Sequence, residues 1–283
     1  MKKISTGERL EFYDFSDVTV EHLHRYAIAN DLVKNKVVLD IASGEGYGSF
    51  ILSKSASKVM GVDIDKETVF NAQKKYLSNN LDYIVGSADK IPVDSNSVDV
   101  VVSFETIEHH DQHEEMFSEI KRVLKSDGIL IMSSPDKKYY SDIPKFQNKF
   151  HVKELYFEEF KDMVNKNFKF SNFLFQKAFN FNSFISNEDL FFKMEVFTGD
   201  YNLVKKDVLE PLYNIAIASN ERLISVKPSL FNGKKISDFQ LANILSVKKT
   251  FYEGKIYDTN SYKVGNFLLA PFFFFKKLIK RIK

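Results

Sequence analysis

Apolar and polar positions follow two different rhythms along this chain. Between residues 36 and 134, five short and almost wholly apolar runs recur: "KVVLDIA", "KVMGVDI", "LDYIVGSA", "SVDVVVSFE" and "GILIMSS". Such runs predict strands covered on both faces, as in a parallel sheet. Between them the apolar positions fall at helical spacing. "YGSFILSKSA" predicts one helix, and "DKETVFNAQKKYL" a second with Val69, Ala72 and Tyr76 on one stripe. A third helix turns Met116, Phe117, Ile120, Val123 and Leu124 inward. Asp111 and Glu114 have capping-box spacing at its start, and "SDG" puts Gly128 at its end. Ahead of the first strand, residues 18–33 predict a helix with Val20, Leu23, Ala27 and Ile28 inward.

Strand and helix alternating in this way argue a parallel sheet with right-handed crossovers and helices on both faces. Beyond residue 150 the rhythm changes. "FHVKELYFEEFKDMV" predicts a helix, while "FKFSNFLFQKA" and "PLYNIAIASN" predict strands that pair antiparallel at the sheet edge. The expected class is α/β, Rossmann-like and doubly wound, with a mostly parallel sheet and an antiparallel edge strand. The expected divisions are an N-terminal helical segment over residues 1–35, the main domain over 36–220 and a C-terminal extension over 221–283.

Composition narrows the possibilities. Of 283 residues, 44% are apolar and the net charge is +2, which predicts a packed core and gives no general case for nucleic-acid binding. Without cysteine there are no disulfides, thiolate metal sites or thiol nucleophiles, which fits a reducing compartment. The opening "MKKISTGERLEFYDF" has no apolar signal core, and no run reaches the ~18 apolar residues that span a bilayer. A cytoplasmic location is expected.

The first strand runs into "DIASGEGYG", three glycines in five positions flanked by Asp40 and Glu45. In open parallel sheets ligands bind outside the carboxyl ends of the strands, so this loop is the first place to look. Glycine allows positive φ and a close approach of ligand to backbone. A dinucleotide would prefer G-x-G-x-x-G, and the last spacing here is one residue short. Asp40 and Glu45 would also repel its pyrophosphate. A cationic ligand without phosphate suits the loop better.

This stretch resembles the first motif of class I S-adenosylmethionine-dependent methyltransferases, and further matches follow in order. "GVDID" is similar to the family's second-strand acid that binds the ribose hydroxyls, which falls on Asp63. "GSADKIPVDSNSVDVV" resembles the adenine-side segment, with Ser87 where the family usually has Asp, leaving Ala88 and Asp89 as further contacts. "SFETIEHH" resembles the segment that lines the methionine end. "GERL…EHLHRYAIA" and "NKFHVKELYFEEF" look like a subgroup that accompanies glycan and O-antigen biosynthesis. The resemblance covers about residues 7–220. It implies S-adenosyl-L-methionine as cofactor, with S-adenosyl-L-homocysteine as product. It implies contacts from Asp40, Ala42, Gly44, Gly46, Asp63, Ile64, Ser87, Ala88, Asp89, Phe104 and Glu105. It also implies an N-terminal helix, bearing His22, His24 and Arg25, that lids the cofactor. Asp65 reads as a helix N-cap, and Tyr47 equally as packing or as a contact of the methionine end.

If the acceptor is a sugar hydroxyl, a base must take its proton as the methyl group transfers, and histidine is suited to that near neutral pH. His109 and His110 follow the fourth strand, and His151 lies in the segment expected to close over the acceptor. These three are the catalytic candidates, with Glu105 and Glu108 able to orient them. In "EHHDQHEE", His109 and His113 are four apart, which invites a metal reading. An open metal site needs a third protein ligand and outer-shell support, so no metal is expected.

The expected function is methyl transfer to an oxygen of a sugar or glycan intermediate, free or lipid-linked. Alternatives are a small-metabolite methyltransferase acting on O or N, a non-catalytic partner of a glycan enzyme, and a nicotinamide dehydrogenase. A nucleic-acid amino-methylase would carry (D/N)PP(Y/F) where "FETIEH" stands. The tail 266–283, with "FLLAPFFFF" followed by "KKLIKRIK", suits a lipid interface, a groove in a glycosyltransferase partner, or this protein's own core.

Overall fold

The computed structural model describes residues 16–258, with side chains described as far as residue 246. Five strands run parallel: β1 (Val37–Ile41), β2 (Lys58–Asp63), β3 (Leu81–Val85), β4 (Val98–Phe104) and β5 (Leu124–Pro135). Four more extend the sheet antiparallel: β6 (Phe170–Phe179), β7 (Asn182–Asn187), β10 (Tyr213–Ser219) and β11 (Ser229–Asn232). The order across the sheet is β11-β7-β6-β10-β5-β4-β1-β2-β3. The crossover reverses at β1/β4, where ligand crevices form in doubly wound sheets. A separate exposed hairpin joins β8 (Val196–Gly199) to β9 (Val204–Asp207).

The two predicted late strands do pair antiparallel, but neither ends the sheet. β10 lies between β5 and β6, and β7 and β11 continue beyond them. Short Phe- and Asn-rich segments there lack long apolar runs, which hides them from a reading by period. Because β11 pairs with β7, the sheet-bearing unit runs to Lys234 and not to residue 220. A second compact unit begins at Lys235, and its described part is nearly all of helix α7 (Lys234–Asp258). Residues 7–10 and 266–283 lie outside the described residues. Among the described residues no helix is long and apolar enough to cross a membrane.

Two apolar layers cover the sheet. One face carries Val38, Val59, Val100, Ile129 and Ile217 against Val69 and Ala72 of α3 (Lys66–Lys75) and Tyr76 at its end. The other carries Leu39, Val101, Leu130 and Ala216 against Met116, Phe117, Ile120 and Val123 of α4 (His113–Val123), and against Phe160 and Val164 of α5 (Phe157–Asn167). The predicted stripes of α3 and α4 are the buried ones. Asp65 caps α3 by accepting from Thr68 N at 2.7 Å.

Several boundaries differ from expectation. The residue ahead of α4 is Gln112, and no side chain caps it, so Asp111 and Glu114 form no capping box. The chain leaves α4 directly into β5 at Leu124, which carries Gly128 inside the strand. Helix α5 starts at Phe157 because residues 148–155 are tied into the site loop instead. Helix α2 (Tyr47–Leu52) is one short stretch, ended by backbone turns at Ser53–Ala56.

Helix α1 (Asp17–Leu32) departs most from a simple amphipathic cover. Ala27 is exposed, while Glu21, His24 and Arg25 are buried beside Val20, Ile28 and Ala29. The added strands explain this. His24 bonds Ser183 of β7 through Nδ1 and Ser229 of β11 through Nε2, both at 2.9 Å. Arg25 donates to Gln176 of β6 at 2.8 Å, and Gln176 donates to the Glu21 carbonyl at 3.0 Å. Buried polar groups persist when they are hydrogen-bonded. Here those bonds fasten α1 to the antiparallel strands.

Candidate cofactor and acceptor clefts

At the carboxyl ends of β1, β2 and β4 lies a cleft of about 420 Å³, within the range of roughly 300–1,000 Å³ usual for small-ligand sites. Of the expected contacts, Ala42, Gly44, Asp63, Ile64, Ser87, Ala88, Asp89, Phe104 and Glu105 line it. Its walls also carry His109, His110 and His22 of the expected lid helix, together with Tyr26, Ser43, Gly86 and Gln112, which no motif singled out. Tyr47 lines it too. Its hydroxyl meets His22 Nδ1 at 2.8 Å, and burial with the Arg25 charge holds that imidazole far below its usual pKa.

Asp40 and Gly46 belong to the floor beneath the cleft. Asp40 is fully buried and accepts from Ser49 Oγ at 2.6 Å and from Tyr26 Oη at 3.3 Å. Burial pushes its carboxyl up to about 7, against those two hydrogen bonds. It holds the turn and does not present a rim charge. Gly46, at φ +85°, is a packing glycine: a Cβ there would lie 2.8 Å from Ala72 Cβ and from Tyr83. Gly44 differs. At φ +52° it has nothing within 4 Å of its Cβ position, so its backbone stays open to a ligand.

Asp63 stitches the loop. Its Oδ2 accepts from Gly44 N at 2.8 Å and its Oδ1 from Asp65 N at 3.0 Å, while its side chain still lines the cleft. Ala42 (φ +55°) and Glu105 (φ +51°) take the left-handed conformation just after β1 and β4. Non-glycine residues held there mark strand ends shaped for a site, at a cost of order 1 kcal/mol each. Glu105 accepts from Ser133 Oγ at 2.6 Å and lies 3.8 Å from the buried Arg25.

The charge on the walls is one-sided. Among the described residues, Glu45, Asp63, Asp89 and Glu105 line the cleft, and no lysine or arginine does. A pyrophosphate would meet four carboxylates on these walls, whereas an ammonium and a sulfonium would be welcomed. Ile64, 71% exposed at the mouth, offers an apolar shelf for a flat ring. These walls fit S-adenosylmethionine.

The histidines separate into distinct environments. His113 is buried and donates from Nε2 to the carbonyls of Ile107 and His110, at 2.9 and 2.8 Å. It therefore shares no metal with His109. Among the described residues neither ring nitrogen of His110 has a hydrogen-bond partner, and burial with the neighbouring His113 lowers its pKa. His109 sits with its Nδ1 at 3.2 Å from the Phe150 carbonyl, and its ring meets that of His151 edge to face at 5.2 Å.

His151 lines a second cleft of about 550 Å³, whose walls include Lys137, Ser141, Asp142, Lys145, Asn148 and Glu154. Its Nδ1 bonds Glu154 at 2.6 Å and its Nε2 faces the Asn148 amide at 2.9 Å, with Tyr140 stacked on the ring. The histidine pair thus stands at the junction of the two clefts. Glu108, beside it, is 1% exposed, and burial with the nearby Glu105 pushes its carboxyl well above the usual range.

Comparison with known proteins agrees with this geometry. Residues 39–132 match the methyltransferase domain family. A Mycolicibacterium smegmatis protein named "Probable S-adenosylmethionine-dependent methyltransferase" is 35% identical over 130 residues, 45% of this chain and 49% of that one. The Mycobacterium tuberculosis phthiotriol/phenolphthiotriol dimycocerosates methyltransferase is 29% identical over 107 residues, 37% of this chain and 39% of its own. The chain spans about half the length of the first of these relatives. Among solved structures, the Bacillus subtilis YcgJ protein superposes with a TM-score of 0.52 at 19% identity, covering 71% of this chain and all of that one. Residues 39–132 therefore carry a likeness to the methyltransferase domain family, on a fold shared with YcgJ, and that likeness implies S-adenosyl-L-methionine as the cofactor.

Proposed function

We propose that this protein is an enzyme that transfers a methyl group from S-adenosylmethionine to a hydroxyl oxygen of a sugar or glycan intermediate. One observation carries the reading. The acid-walled cleft and a second, polar cleft meet at His109 and His151. When bound, the cofactor supplies an already activated methyl group, so the protein mainly supplies alignment.

Asp63, the open Gly44 backbone and Ile64 hold the adenosyl part, while Glu105, Tyr47 and His22 surround the methionine end. An acceptor in the second cleft brings its hydroxyl to the junction, where His109 and His151 are the nitrogen bases at hand.

The lining of the second cleft favours a sugar over a hydrocarbon. Serine, asparagine, glutamine, lysine and acid side chains dominate it, and Phe146 and Val152 are its apolar members. A long-chain lipid acceptor would need apolar walls to bury its chains. Lys137, Lys145 and Lys153 also suit a phosphate on a carrier-linked sugar. A peripheral attachment of residues 266–283 to a membrane would bring lipid-linked acceptors within reach.

The deciding experiment is transfer of labelled methyl to nucleotide-linked sugars, lipid-linked sugars and long-chain lipid alcohols in parallel. Label in either sugar class is expected. Label only in the lipid alcohols, or in a small metabolite, would replace the acceptor class. No cofactor binding at all would remove methyl transfer itself.

A further inference from the structure

We propose that Glu108, His109 and His151 are the three protein ligands of a divalent transition-metal ion held where the two clefts meet. One ligand atom from each residue lies within 4.8 Å of the others, and His109 Nε2 is already 3.8 Å from Glu108 Oε1. Zinc-type bonds of about 2.0–2.2 Å place neighbouring ligands roughly 3.3 Å apart, so small side-chain rotations close the set.

Glu108 supplies an independent observation. It is 1% exposed, and among the described residues no other residue donates a hydrogen bond to either carboxylate oxygen. A buried carboxylate without a partner is among the costliest groups a protein can hold, and a cation is one of the few remedies.

The surroundings are those of a prepared site. The Glu108 carbonyl accepts from Val152 N at 2.8 Å and from Lys153 N at 3.1 Å, which ties the loop bearing His151 to the turn bearing His109. His109 meets the Phe150 carbonyl through Nδ1, and His151 meets the Glu154 carboxylate through Nδ1. With Nδ1 of each ring donating to those oxygens, Nε2 is left as the lone-pair nitrogen, the arrangement that orients metal-ligating histidines. Ser141 in turn bonds Glu154 at 2.8 Å. The Asn148 amide, now 2.9 Å from His151 Nε2, gives way on loading.

Two imidazoles and one carboxylate suit zinc, manganese, iron or cobalt, whereas magnesium and calcium prefer oxygen throughout. Three protein ligands leave a coordination position for an incoming oxygen. His109 opens to the cofactor cleft and His151 to the second cleft, so an acceptor hydroxyl can reach that position. There the ion would ease loss of the hydroxyl proton in place of a free imidazole base. This role rests on the methyl-transfer reading; the ion site itself does not.

The test strips the full-length chain with a chelator and titrates it with Co2+, followed by its visible d–d absorption and by calorimetry. One equivalent should bind. Glu108→Gln and His151→Ala should each weaken binding at least tenfold, while exposed Asp111→Asn should not. Co2+ should raise the Tm of the wild type and leave that of Glu108→Gln unmoved. S-adenosylmethionine titrations on the same samples check folding and keep the two readings apart. Cofactor binding without one-equivalent Co2+ binding overturns the metal site alone. Co2+ binding that persists undiminished in both variants overturns the ligand assignment. Co2+ binding without cofactor binding leaves the metal site and removes the methyl-transfer reading.

Discussion

At Gly48 a single missing carbon decides how α1 and α2 approach. A Cβ built there falls 1.9 Å from Tyr26 Cζ, and Tyr26 in turn bonds Asp40 beneath the cleft. Gly48→Ala should therefore destabilise the fold by about 1–3 kcal/mol, the usual cost of overpacking, read as a lowered denaturant midpoint. Glu21 offers a second measurement. Burial pushes its carboxyl up to about 7, against the opposing charge of Arg25. Between about pH 4.5 and about pH 7 the folded chain keeps a proton that the unfolded chain has lost, so stability falls as pH rises and levels off above that window. Asp40, also raised to about 7, acts with the same sign. Glu21→Gln should shrink that slope without abolishing it, as denaturant midpoints at about pH 5 and about pH 8 would show. An unchanged slope would mean that Glu21 titrates normally.

Among the elements, the turn from β1 to α2 shows how one side chain can serve fold and ligand together. Asp63, from the next strand, accepts from the amides of Gly44 and Asp65 and still faces the cleft. Asp63→Ala leaves two backbone donors without their partner as well as removing a cleft carboxylate. Cofactor affinity should fall at least tenfold, or about 1.4 kcal/mol, with a measurable drop in Tm. Loss of affinity without a drop in Tm would assign Asp63 to the ligand alone. Helix α1 makes the complementary point. Its His24 and Arg25 look like solvent-facing polar positions by period, yet both are buried against β6, β7 and β11. Sequence periodicity cannot foresee this, because the serines and the glutamine that receive them lie more than 150 residues away.

For the whole molecule, among the described residues every one that lines either cleft lies within the unit that ends at Lys234. A chain stopped there should bind S-adenosylmethionine with an unchanged Kd by calorimetry. A large loss would show that the region from Lys235 onward contributes to the site. If residues 266–283 attach the protein to membranes, the same truncation should abolish co-sedimentation with anionic vesicles while leaving cofactor binding intact.

What the amino-acid order determined by itself is the parallel half of the molecule and the polarity of its ligand. Local apolar runs, helical stripes and a glycine turn with nearby acids are short-range signals, and each reports a neighbourhood of a few residues. Tertiary structure alone decided which of those acids face the ligand: Asp40 was drawn under the turn by Ser49 and Tyr26, while Asp63 and Glu105 stayed on the wall. It also decided that β7 and β11 lengthen the sheet, and that Glu108 and His109 meet His151. Those outcomes depend on contacts between distant segments, whose free energies are settled by the packing of the whole chain.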